Sequence, residues 1–201
     1  LKEIGQQEQA THFMTLGAGF MALLHRYTDQ DDILIGTPAP GRKVSESGNS
    51  INQTILVLRS QFAEHLNFRT LLRQVRGRTL GAFAHSDLPF EQLVAELAPE
   101  HDPSHAPVVQ VMFIFKGAEE ASQASKHNGN QSPKLGFPGH DLTLFLFETE
   151  NGLKGAIEYS SDIFEAETIQ RLCGHYETLL TSMARNPDQS IAELQMLTER
   201  E

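Results

Sequence analysis

Residues Val108 to Phe115 form an apolar run interrupted only by Gln110. A strand of that kind is suited to the centre of a sheet, buried on both faces with a strand on either side. It therefore demands partner strands and covering helices, and the rest of the chain supplies both. Phe13, Leu16, Phe20, Leu23 and Leu24 recur at spacings of three and four, one face of an amphipathic helix ending near His25-Arg26. Asp31-Asp32 opens the short run Ile33-Leu34-Ile35, closed by Gly36-Thr37-Pro38, which reads as a buried strand entering a loop. A second strand is expected over Ile55 to Leu58, reaching Phe62.

Helices are expected over about 70–83, with Leu71, Leu72, Val75 and Phe83 inward, and from Phe90 to about Leu97, where Pro99 stops the second. Leu142 to Thr149 and Leu153 to Tyr159 flank Asn151-Gly152, a strong hairpin signal. Ile169, Leu172, Tyr176, Leu179 and Met183 share one face of a last helix, and the tail from Pro187 is polar except for Ile191, Leu194, Met196 and Leu197. This order of elements predicts an α/β two-layer sandwich, a mixed β-sheet with helices on one face. One stretch resists the scheme. Residues 117–136 hold no aliphatic side chain larger than Ala until Leu135, so they cannot build a core of their own.

Composition excludes several function classes. With 16 basic and 26 acidic residues the formal net charge is -10, and no basic stripe is visible to neutralise nucleic-acid phosphates or to bind an anionic membrane surface. No apolar run approaches the ~20 residues that span a bilayer. The single cysteine, Cys173, rules out an internal disulfide, fits a cytoplasmic setting, and reads as a buried, inert thiol. The start at Leu1, with no signal core, reads as a piece of a longer polypeptide.

Nine histidines invite a search for chemistry. His101 and His105 have the spacing of a zinc pair, but Pro99 and Pro103 break the helix that would align them, and the reading is a solvated loop without metal. His85, Ser86 and Asp87 include every residue type of a hydrolase triad, yet sequence neighbours cannot meet in triad geometry. Asp87 instead reads as turn chemistry ahead of the helix at Phe90. Gly36 to Arg42 lacks the Gly-Lys-Ser/Thr ending of a phosphate loop.

Taken in order, five stretches resemble the second half of a condensation domain of the nonribosomal peptide synthetases. They are Asp31 to Arg42 (DDILIGTPAPGR), His85 to Val94 (HSDLPFEQLV), Asp102 to Phe113 (DPSHAPVVQVMF), Asp141 to Tyr159, and the tail from Gly174 to Glu201. The resemblance covers nearly the whole chain and implies half of a chloramphenicol acetyltransferase-like pair. In that family two lobes enclose a tunnel, where the amine of an acceptor aminoacyl thioester attacks a donor thioester. Both substrates arrive on phosphopantetheine arms of carrier proteins, so no cofactor is expected to bind the lobe directly. The family's His-His-x-x-x-Asp-Gly motif belongs to the first lobe, and no His-His pair exists here. The resemblance therefore implies no catalytic residue in this chain and an inactive isolated lobe.

What the lobe is expected to supply is tunnel wall and closure. Residues 38–50 are similar to the family's floor loop, including Pro38, Gly41 and Arg42, with Arg42 expected in a structural salt bridge across the tunnel. Asn52 matches the tunnel-facing Asn of the family's GFFVNT motif, although Asn49 and Ser50 replace its aromatic residues. His85, Asp87 and Ser104 complete the set of tunnel or structural candidates. Residues 117–136 coincide with the family's latch, which crosses to the first lobe, and 187–201 with the linker toward a following adenylation domain. Expected partners are the first lobe, carrier proteins, the adenylation domain, and a second copy of an excised lobe through its uncovered tunnel wall. An epimerization or cyclising relative, and a carrier-docking module without chemistry, remain as alternatives.

Overall fold

The computed structural model describes residues 1–39, 55–97, 106–117, 139–198 and 201. The chain opens with α1 (Lys2–Gln7) and α2 (His12–Thr28), then strands β1 (Asp32–Pro38) and β2 (Ile55–Gln61). Helices α3 (Phe68–Ala84) and α4 (Phe90–Leu97) follow, then β3 (Val111–Lys116), β4 (Leu142–Thr149) and β5 (Gly152–Tyr159). Helix α5 (Ala166–Arg185) and a 3-10 turn, Ile191–Glu193, close the chain.

The strands form one mixed sheet in the order β2-β1-β3-β4-β5, which places the apolar run of β3 in the middle as expected. β1 pairs antiparallel with β2, and β4 with β5, while β3 is parallel to both β1 and β4. The carboxyl ends of β1, β3 and β4 therefore share one edge. Gly152, with a φ of 123°, supplies the left-handed residue that the β4–β5 turn requires.

Alternation along the strands sends Ile33, Ile35, Leu58, Phe113, Leu142, Leu144 and Leu146 into one core with α2, α3 and α5. Phe20 lies 6.0 Å, ring to ring, from both Phe113 and Tyr176 at its centre. Met112, Ile114 and Phe145 are also buried but point from the opposite face and lie outside that cluster. The predicted sandwich, with helices on one face, is the observed one.

Local chemistry explains where the elements depart from the sequence reading. Asn67 accepts the Thr70 amide at 2.9 Å, so α3 begins at Phe68 and buries that ring. β3 begins at Val111 rather than Val108, because Val108 has a φ of 68° and the Val109 amide donates to the Pro107 carbonyl at 2.8 Å. That γ-turn holds a β-branched residue in the left-handed region and ends strand geometry there. Helix α1 has no periodic signal in the sequence: only Ile4 marks it, and Ile4 enters the core.

Candidate functional site

The carboxyl edge of the sheet is where two long polar stretches of the chain depart, residues 40–54 after β1 and 118–138 after β3. In open α/β sheets the crevice outside the carboxyl strand ends is the usual place for a ligand. Pro38 is the last residue of β1 and stands opposite Ile55 of β2, at the mouth of the first stretch. Just before it, Gly36 is enclosed: a methyl there would meet the Met112 sulfur, with Ile55 Cγ2 and Val109 Cγ1 each at 3.1 Å. Two residues of the Gly-Thr-Pro sequence are thus explained, glycine by close packing against β3 and proline by ending the ladder.

His85 and Asp87 lie toward the same end. Phe83, at the close of α3, lies 6.3 Å from Phe13 with its ring tilted, and Phe13 itself sits 5.4 Å from Phe113 of β3. His85 follows as the C-cap residue, its amide donating to the Ala82 carbonyl at 3.2 Å, and Leu88 donates back to the His85 carbonyl at 3.2 Å. Both His85 and Asp87 are exposed. Of the remaining candidates, Gly41, Arg42, Asn52 and Ser104 lie outside the described residues, as do His101 and His105. Among the described residues no cluster of three or more His, Cys, Asp or Glu could hold a metal ion, and no helix is long and apolar enough to cross a membrane.

The sequence reading missed a polar cluster beside this edge. His12, the first residue of α2, lies edge-on to Phe115 at 5.6 Å, and its Nδ1 is 3.6 Å from Glu148 Oε1 at the end of β4. Lys2 Nζ donates to the same carboxylate oxygen at 2.8 Å. With Gly5, Gln6, Ala10 and Thr15 these side chains line a cavity of about 200 Å³. Burial pushes the His12 pKa down against the pull of Glu148, while the Lys2 hydrogen bond holds Glu148 below the usual carboxylate range. The His12 Nδ1, 3.6 Å from the Glu148 carboxylate, is buried and makes no hydrogen bond. Because Glu148 lies 136 residues beyond His12 in the sequence, no spacing in the sequence signals the cluster.

Cys173 corrects an expectation. It is exposed on α5, since Leu172 and Tyr176 occupy the inward positions on either side of it. It borders an apolar groove of about 430 Å³ between α5 and the β4–β5 hairpin. Desolvation in that groove, helped by Glu177, raises its thiol pKa, which lowers its thiolate fraction at neutral pH but leaves the sulfur accessible, so the expected burial is not observed.

An open mixed sheet covered by one helical layer defines an α/β protein. The chain belongs to the condensation-domain family, whose model matches residues 1–201. A linear gramicidin synthase of Brevibacillus parabrevis is 41% identical over 207 residues, all of this chain but 4% of that protein. A four-domain nonribosomal peptide synthetase solved with AMP and glycine superposes with a TM-score of 0.82 at 22% identity, over 98% of this chain and 16% of that one. The X-domain from teicoplanin biosynthesis gives 0.81 at 22% identity, over 98% of this chain and 46% of that one, and has also been solved in complex with OxyB. The chain thus spans a small part of its synthetase relative and less than half of the X-domain chain.

Proposed function

We propose that this chain is the C-terminal lobe of a condensation domain that joins a donor and an acceptor thioester by an amide bond. The observation that carries the reading is coverage: nearly all of this chain matches, yet it accounts for only 46% of the X-domain chain. The lack of any His-His pair in the sequence agrees with a catalytic motif on the other lobe. In the reaction the acceptor amine attacks the donor carbonyl, a C–N bond forms, the C–S bond breaks, and the amine's proton ends on the departing pantetheine thiol. This lobe provides tunnel wall, the floor loop at 38–50 with Pro38, Gly41 and Arg42, the tunnel-facing Asn52, and the latch at 117–136. His85, Asp87 and Ser104 support that wall. Carrier-protein phosphopantetheine arms present both substrates, and 187–201 leads toward an adenylation domain.

The test is a dipeptide-forming assay with two carrier-loaded substrates, comparing this lobe alone with lobe plus separately expressed upstream residues. Product only from the combination supports a split active site. Product from the lobe alone overturns it. No product from either, with carrier binding retained, favours a docking module, a role suggested by the likeness to an X-domain solved with a protein partner.

A further inference from the structure

We propose that Gly174 and His175 of α5, with Tyr27 of α2, form a docking site for the chain's own tail, with Thr198 and Glu201 as the residues it recognises. The inference does not depend on the condensation role. The first half of the tail is fixed by the core: Ile191 and Leu194 are each 2% exposed, and the Ile191 amide donates to the Leu66 carbonyl at 2.9 Å. Arg26 Nη1 donates to the carbonyls of Ile191 at 2.7 Å and Leu194 at 3.0 Å, and the Gln195 amide donates to Ser182 Oγ at 3.1 Å.

The far end is held by a chain of hydrogen bonds. Glu201 Oε2 lies 2.7 Å from His175 Nε2 and accepts from the Thr198 amide at 3.1 Å and the Thr198 hydroxyl at 2.9 Å. These donors, the Thr198 amide foremost, hold the Glu201 pKa down at about 2, so the group is a carboxylate and can only accept. His175 Nε2 therefore carries a proton, and in the neutral imidazole Nδ1 is left to accept from the Tyr27 hydroxyl, 2.6 Å away. His175 is 7% exposed with both ring nitrogens satisfied, which is what a buried imidazole requires.

Shape agrees with polarity. A Cβ at Gly174 would lie 3.0 Å from Thr198 Cγ2, so glycine is what lets the tail approach the helix. One residue admits the threonine, and the next binds the glutamate. Once closed, Thr198 and Glu201 form one wall of a cleft of about 820 Å³ whose other walls are Glu165, Glu167, Arg171 and Glu177 of the α5 region. Opening the clasp removes that wall.

Amide hydrogen exchange on the whole chain tests the site. Gly174→Ala should speed exchange at Thr198 by about tenfold or more, leave the α2 and α5 core amides unchanged, and be reversed by adding Thr198→Ser, which removes Cγ2 but keeps the hydroxyl. His175→Phe should open the same segment while leaving the local Thr198–Glu201 bonds possible. Unchanged tail protection in G174A and H175F overturns the proposal, as does failure of T198S to restore it.

Discussion

Placing a methyl group on Gly36 tests whether close packing at the carboxyl end of β1 explains the Gly-Thr-Pro sequence. The methyl would overlap the Met112 sulfur and press on Ile55 and Val109 at 3.1 Å. Met112 is fully buried, so it cannot move aside into solvent. Overpacking of this kind costs about 1–3 kcal/mol, while Gly→Ala regains roughly 0.4–1 kcal/mol by restricting the unfolded chain. The net loss for G36A is about 1–2 kcal/mol. At ~2–4 °C per kcal/mol for a chain of this size, the melting temperature should fall by roughly 2–8 °C. Circular-dichroism melts would read the loss, with Gly81→Ala as control, because a methyl at Gly81 meets nothing within 4 Å. G81A should gain about 0.5–1 kcal/mol from helix propensity. In the double variant G36A/M112A the new methyl occupies part of the space that Met112 vacated, so the combined loss should be at least ~0.5 kcal/mol smaller than the sum. A G36A protein as stable as the parent, or strictly additive losses, would refute the packing account.

Three further outcomes follow from the charged groups. Burial lowers the His12 pKa from its ordinary 6.5, so the unfolded chain takes up this proton first. Stability should therefore decline as pH falls below about 6.5, and H12Q should remove that part of the profile in denaturant melts. Glu8 is held below its ordinary 4.5 by hydrogen bonds from Arg73 at 2.6 Å and Arg69 at 3.1 Å, which tie α1 to α3. Its contribution is present above pH 4.5 and lost on further acidification, so E8Q should be less stable at neutral pH and flatter in acid. Cys173 should label with a maleimide in the folded chain, increasingly as pH rises toward its elevated pKa; protection of the thiol until unfolding would contradict its exposed position on α5.

The elements with strong periodicity were legible before the structure. Phe20 and Leu23 of α2, Leu172 and Tyr176 of α5, and the Asn151-Gly152 turn each report a local pattern, and each lies where the pattern put it. What escaped depends on distant partners. Ile4 alone says nothing of a helix until the core of α2 accepts it. Val108 looks like a strand residue, and only the Pro107–Val109 hydrogen bond turns it out of the ladder. Cys173 sits amid apolar neighbours, yet one residue of helical rotation exposes it. His12–Glu148 and His175–Glu201 are pairings of side chains far apart in sequence, visible only once the sheet and helices bring them together.

Topology gives the polar segment its meaning. β3 and β4 are parallel neighbours, so the chain must travel from the carboxyl end of one to the amino end of the other. In most α/β proteins an apolar-faced helix makes that crossing and covers the sheet. Residues 117–136 have no such face. Burying a helix drawn from this segment would place polar side chains against Met112, Ile114 and Phe145, the apolar residues on the face away from α2, α3 and α5. On the proposed role, a crossing this polar would take its order from a surface outside this chain, since an edge strand on a second body offers backbone partners without demanding an apolar face. That physical requirement agrees with the proposed role, in which this chain is one lobe and its crossing segment, 117–136, would be completed by the other.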